Sequence, residues 1–298
     1  MKRFIFLILF LVAIPGSLYA DEKIKVVATY PYIESIVKEI GKDAVEVSTL
    51  AKGTEDPHFV VPKPSLIGRL RQADLLIING ASLEIGFIPP LLKQANNPKI
   101  NAGSEYLIDL SKKVELIQKP ENVSRSEGDI HPEGNPHYYL SYKNFPNIAS
   151  GIKDALIKVK PEKREFFEKN FKDLIDRFEV KRRVWDEKLK SINGCKLIQY
   201  HRMFDYVARD ANCAMFAEIE PKPGIPPTAK HIEEIIEKSK SEKIHRVIGD
   251  DYHETKSVKK VSEAIKTPFV LLPHDVKSFD NIKDIFDMYN YIVEELTK

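Results

Sequence analysis

The sequence predicts an α/β protein of two lobes with mostly parallel sheets, joined by one long rigid helix. Three observations carry this. Short β-branched runs alternate with helical periods soon after residue 20, the same rhythm returns after residue 194, and an unbroken amphipathic stretch separates the two. In the first lobe the strands are IKVVATY (24–30), VEVSTL (45–50) and LLIING (75–80), with a helix through Ile33, Ile36, Val37 and Ile40 and another from about Ser65. In the second they are KLIQY (196–200), MFAEI (215–219), RVIGDD (246–251) and PFVLLP (268–273), each followed by a helical segment.

The intervening stretch runs from Pro161, suited to a first helical turn, to Gly194, suited to a stop. Phe167, Phe171, Leu174, Phe178, Trp185, Leu189 and Ile192 form one stripe without internal Pro or Gly. About 31 residues at 1.5 Å each make a rod of roughly 45 Å, long enough to lie along both lobes. Two helices broken near Glu179 are the alternative.

MKRFIFLILFLVAIPGSLYA, residues 1–20, has the basic start, short apolar core and small residue at the cut of a secretory signal peptide. Its apolar run is shorter than the roughly 20 residues a spanning helix requires. No cysteine follows Ala20, so the expectation is a soluble periplasmic protein without a lipid anchor. Removing Lys2 and Arg3 takes the balance from 46 basic against 44 acidic residues to 44 against 44. With Lys and Glu interspersed there is no basic stripe of the kind nucleic acid requires. Cys195 and Cys213 each precede an apolar run, so adjacent parallel strands would bring them together in an oxidising compartment. A structural disulfide is the reading, and two buried thiols are the alternative.

Of eight histidines, several fall at strand ends, where ligands collect in open α/β sheets. His58 follows the second strand, His201 follows KLIQY, and His274 with Asp275 follows PFVLLP. His137 closes GDIHPEGNPHYYL, whose Pro and Gly rule out a helical metal motif. Asp56-Pro57-His58 and Asn135-Pro136-His137 are the same kind of turn, stiffened by proline and fixed by Asp or Asn. Such rigidity suits an imidazole nitrogen held about 2.0–2.1 Å from zinc. His231 and His245, beside the Lys- and Glu-rich IEEIIEKSKSEK, are expected to face solvent.

DPHFVVPKPS, ADLLIINGASLE, GNPHYYLSYKN, QYHRMFDYVARD and AEIEPKPGIPPTAKHIEEI occur in the order and at the intervals of one family. The chain resembles the zinc and manganese solute-binding proteins of ABC importers, the ZnuA and TroA type of cluster A-I, over essentially its whole mature length. That resemblance implies two four-stranded lobes joined by one rigid helix: signal peptide 1–20, N-terminal metal-binding lobe 21–158, linking helix 159–193 and C-terminal metal-binding lobe 194–298. It implies His58, His137 and His201 as metal ligands, with Asp275 as the carboxylate that completes the site. Many relatives carry Asp-Pro-Leu-Gly where this chain reads LLPHDVKS, so His274 competes for that place, as do Asp250, Asp251 and His253 after RVIGDD.

The resemblance also implies a role for the polar stretch 119–136. With Glu127, Asp129, His131 and Glu133 it is a reduced version of a metal-capturing loop, and His131 is either an auxiliary ligand or a solvated residue. The expected function is capture of Zn²⁺ and delivery to an ABC permease by a monomeric binding protein, with a periplasmic metallochaperone as a further candidate partner. Three imidazoles favour zinc over Mn²⁺, which prefers oxygen. The other readings are a manganese or broader divalent-metal carrier, an exported zinc hydrolase and an adhesin. HExxH, GxSxG and phosphate-loop motifs are absent, which speaks against an enzyme.

Overall fold

Val26, Val27 and Ala28, consecutive in the first strand, are all buried, as in a parallel strand covered by helices on both faces. The computed structural model describes residues 22–120 and 131–298. The expected signal peptide, and Glu127 and Asp129, lie outside them. In chain order the first half contains β1 (Ile24–Ala28), α1 (Pro31–Gly41), β2 (Val45–Thr49), α2 (Pro64–Gln72), β3 (Leu75–Ile78), α3 (Ile88–Ala95), β4 (Leu107–Asp109) and α4 (Phe145–Val159). The long α5 (Arg164–Leu189) follows. Then come β5 (Lys196–Gln199), α6 (Asp205–Asp210), β6 (Ala214–Glu218), α7 (Ala229–Ser239), β7 (Ile244–Asp250), α8 (Lys256–Ile265), β8 (Phe269–Leu272) and α9 (Ile285–Thr297).

Two four-stranded parallel sheets result, ordered β2-β1-β3-β4 and β6-β5-β7-β8. Each reverses direction of growth beside its first strand, so each lobe has a switch point where loops at the carboxyl edge diverge and leave a crevice. Strand β4 was not among the sequence-predicted strands: three residues, LID, give too short a β signal to read.

Helix α5 is unbroken at Glu179 and carries a three-residue 3-10 turn at each end. Phe167, Leu174, Phe178, Trp185 and Leu189 are buried along the expected stripe. Its first half is tied to α1 by Asn170 Nδ2 donating to the Ile40 carbonyl at 2.9 Å, and its second half to α9 by Trp185 Nε1 donating to Asn290 Oδ1 at 2.6 Å. Helix α9 in turn touches both sheets' surroundings, through Tyr289 to the Tyr139 carbonyl and through the Leu296 carbonyl to His245. A disulfide joins Cys195 and Cys213 at the starts of β5 and β6. No helix among the described residues is long and apolar enough to cross a membrane.

Candidate metal centre

Both Asx-Pro-His turns form as the sequence implies. Asp56 Oδ1 accepts from His58 N at 2.9 Å, and Asn135 Oδ1 accepts from His137 N at 2.9 Å. Tyr30 supports the first turn by donating to the Pro57 carbonyl at 2.8 Å. The second is set by Gly134, whose φ of 125° favours glycine and whose Cα lies where any Cβ would strike the Ile117 carbonyl. The third histidine ends β5. There Gln199 Oε1 accepts from the backbone N–H groups of Met203 and Phe204, at 3.2 and 2.8 Å, and so curls the chain beyond His201 into α6.

These three segments bring His58, His137 and His201 into one cluster whose ligand atoms lie within 4.8 Å of one another. Ring centroids are 5.4 Å apart for His58 to His137, 5.4 Å for His58 to His201 and 5.5 Å for His137 to His201. Imidazoles bound tetrahedrally at about 2.0–2.1 Å from zinc place their centroids roughly 5 Å apart, so the cluster has nearly the dimensions of a metal site. Carboxylates sit behind two rings: Asp56 Oδ1 is 2.8 Å from His58 Nδ1, and Glu220 Oε2 is 2.5 Å from His201 Nδ1. A carboxylate on Nδ1 fixes the tautomer and leaves Nε2 with a lone pair. Both ring nitrogens of His137 are buried without a hydrogen-bond partner among the described residues. Burial, then the neighbouring His58 and His201, hold its pKa well below the usual histidine value, so it stays neutral and able to ligate.

Asp275 stands outside this cluster. Its Oδ1 accepts from Tyr32 N at 2.8 Å and Val276 N at 2.6 Å. Burial pushes its carboxyl up to about 7. His274 is committed elsewhere, with Nδ1 2.6 Å from Asp251 Oδ1 and Nε2 3.1 Å from the Glu55 carbonyl. Burial opposes its charging, but Asp251 outweighs burial and raises its pKa. Asp250 is likewise engaged by His253 Nδ1 at 2.8 Å. His274, Asp250 and Asp251 therefore lie in pairs near the cleft, outside the three-histidine cluster. Around Asp275 the segment after β8 clasps the first lobe: Lys277 pairs with Glu34 at 2.7 Å, and a Cβ on Gly53 would lie 2.1 Å from the Val276 carbonyl oxygen.

His131 is half-buried, with its ring centroid 5.3 Å from that of His58 and 6.5 Å from that of His137. The solvated alternative fails for this ring, because both nitrogens are shielded from solvent. His231 and His245 also depart from expectation. Both are half-buried, with Nε2 hydrogen-bonded to the carbonyls of Glu218 at 3.1 Å and Leu296 at 2.7 Å, and His245 lies on β7 rather than beside a helix. Charge-rich neighbours concealed that each points inward. Sequence reasoning assigned no role to Glu220; the signal was its place just beyond a strand end, two residues after Glu218.

The family model described as zinc-uptake complex component A, periplasmic, matches residues 26–298. The chain belongs to this family. As a member it is an extracytoplasmic metal-binding protein of an ABC transporter, a solute-binding protein in kind. It is similar to the manganese ABC transporter substrate-binding lipoprotein PsaA of Streptococcus anginosus, 26% identical over 251 residues, covering 84% of this chain and 79% of the relative. It is 25% identical over 240 residues to the zinc-binding lipoprotein AdcA of Streptococcus pneumoniae, covering 79% of this chain but only 47% of AdcA. Among solved structures, a crystal structure of ZnuA superposes with a TM-score of 0.77 at 22% identity, covering 92% of this chain and 98% of that one. The cadmium-bound periplasmic metal binding protein of candidatus Liberibacter asiaticus gives 0.75 at 18%, covering 92% and 100%. The fold of the zinc-uptake component family, two parallel sheets and one long helix, is thus the fold of this chain.

Proposed function

We propose that this protein captures Zn²⁺ between its lobes in the periplasm and passes it to an ABC permease, acting as a carrier and not an enzyme. His58, His137 and His201 are the ligands, Asp275 the fourth. The observation that carries the reading is the convergence of three imidazoles from three separate segments, two of them oriented by carboxylates. Three nitrogen donors favour zinc over manganese. A divalent cation would also compensate the buried Asp275 carboxyl once the segment after β8 shifts inward.

We divide the chain into lobes at 21–158 and 194–298 around a linking helix at 159–193, a reading supported by the two separate sheets, with α9 packing back across both. His131, beside His58, would assist capture, with or without a metallochaperone as donor. The chain works as a monomer in this reading. Because α5 is anchored at both ends, loading would move loops more than lobes, and small-angle scattering should give nearly the same radius of gyration with and without zinc. Manganese is the competing reading, since a relative is named for it. The deciding experiment is competitive titration of the metal-free protein with Zn²⁺ and Mn²⁺, joined to anomalous scattering at the zinc edge. Tighter manganese binding would overturn the zinc assignment, and an Asp275 that stays away from the metal would remove it from the site.

A further inference from the structure

A second constellation adjoins the first and shares His201. Ligand-capable atoms of His201, Glu220 and His253 lie within 4.8 Å of one another. His253 comes from the turn after β7, and its ring centroid is 5.4 Å from that of His201. Its setting repeats that of the cluster histidines. Asp250, itself buried, accepts from His253 N at 2.8 Å through Oδ1 and from His253 Nδ1 at 2.8 Å through Oδ2, just as Asp56 holds both the backbone and the ring of His58. A ring fastened at Nδ1 by a carboxylate presents Nε2 as a ligand. Glu220 faces it with a carboxylate whose Oε1 is fixed by Gly224 N at 2.8 Å and whose Oε2 meets His201. Asp250, Glu220 and Asp56 together give the His253 ring a negative surrounding. The His253 side chain keeps 20% of its surface exposed, against 6% for His201, so this constellation is the more accessible of the two.

We propose that His253 Nε2 and the Glu220 carboxylate form an outer divalent-cation subsite, completed by water, next to His201 and the inner three-histidine cluster. The inference rests on the metal-binding reading. One nitrogen and one carboxylate suit a borderline cation such as Zn²⁺. A cation on Glu220 draws that carboxylate away from His201 Nδ1, so outer occupancy weakens the inner site and, by reciprocity, inner occupancy weakens the outer.

The test is zinc titration of the full metal-free chain, with stoichiometry from equilibrium dialysis and circular dichroism to confirm folding. Wild type should bind one tight equivalent and a second at least about tenfold weaker, as fewer protein ligands dictate. His253→Asn keeps a donor facing Asp250 but has no atom at the Nε2 position; it should abolish the second equivalent while the first keeps or gains affinity. His137→Ala should do the reverse. A single tight equivalent in wild type, or a second that survives His253→Asn, would overturn the outer subsite alone, and loss of the second only in His131→Ala would reassign it to that neighbour. A wild type lacking even the tight equivalent would sink the metal-binding reading itself.

Discussion

The two Asx-Pro-His turns share one backbone device and spend the rest of the Asx side chain differently. Asp56 turns its charge onto its own histidine, at Nδ1, and His58 remains half-buried. Asn135 instead sends its amide Nδ2 outward, to Gln118 Oε1 at 2.9 Å and the Arg202 carbonyl at 3.1 Å, so the second turn is stitched to the loop that carries His201. His137 is left with no carboxylate and with buried ring nitrogens. In the proposed site, one turn would tune a ligand; the other would fix how far apart two ligands stand. The difference shows why the Asx residue is charged in one and neutral in the other: a carboxylate at position 135 would face two oxygen acceptors.

The largest break in the comparison should come from His137→Ala. Isothermal titration is expected to show zinc affinity reduced by more than about hundredfold, beyond the roughly 10–100-fold that partners of ligands contribute. Unchanged affinity would remove His137 from the site. Next, Asp56→Asn gives the first turn the chemistry of the second, since the amide oxygen still accepts from His58 N but no longer carries charge to Nδ1. Affinity should fall by about 10–100-fold with little change in thermal stability. Asn135→Asp should do the opposite, costing about 1–3 kcal/mol of folding free energy in urea melts as donors are lost against Gln118 and Arg202.

A smaller effect separates these turns from their neighbour His131. Burial, then His58 and His201, lowers its pKa to about 3, whereas the unfolded chain takes up that proton near pH 6.5. Between those values the unfolded state binds more protons, so this residue's contribution to apo stability is lost as pH falls from about 6.5 toward 3. The difference between wild type and His131→Gln in urea melts should therefore shrink on acidification across that window. A difference independent of pH would mean the ring titrates normally. The smallest change in binding is expected from Phe59→Ser with Val61→Ser, 64% and 65% exposed just beyond His58. Zinc affinity should be retained while uptake through the permease drops, if this apolar rim meets the transporter.

What the sequence made legible was local. Proline after Asp or Asn and before His announces a rigid turn, and both turns form; the stripe from Phe167 to Ile192 announces a single helix, and it is unbroken. Strand ends pointed to His58 and His201, because parallel topology puts those ends on one edge, and the proline-stiffened turn pointed to His137. Contacts between segments distant in the chain were not legible. Nothing near Asp275 in sequence indicates that its Oδ1 is held by Tyr32 N, 243 positions away, or that His274 is saturated by Asp251 and Glu55. Likewise His231 and His245 sit among charges in sequence yet bond to carbonyls of other elements. Periodicity reports which face of an element is apolar; it is silent on which polar side chain reaches across.

The clasp formed by Glu55 with His274 and Glu34 with Lys277 has a kinetic consequence. These links join the lobes beside the cleft without belonging to the three-histidine cluster, so they can hold the exit shut while adding little to the equilibrium preference for metal. In the proposed carrier, escape would wait on a local opening, with residence time set by the lifetime of the closed clasp rather than by the strength of the metal–nitrogen bonds. A transporter that pries at Glu34 or Lys277 could empty the carrier quickly without having to bind the metal more tightly than the carrier does.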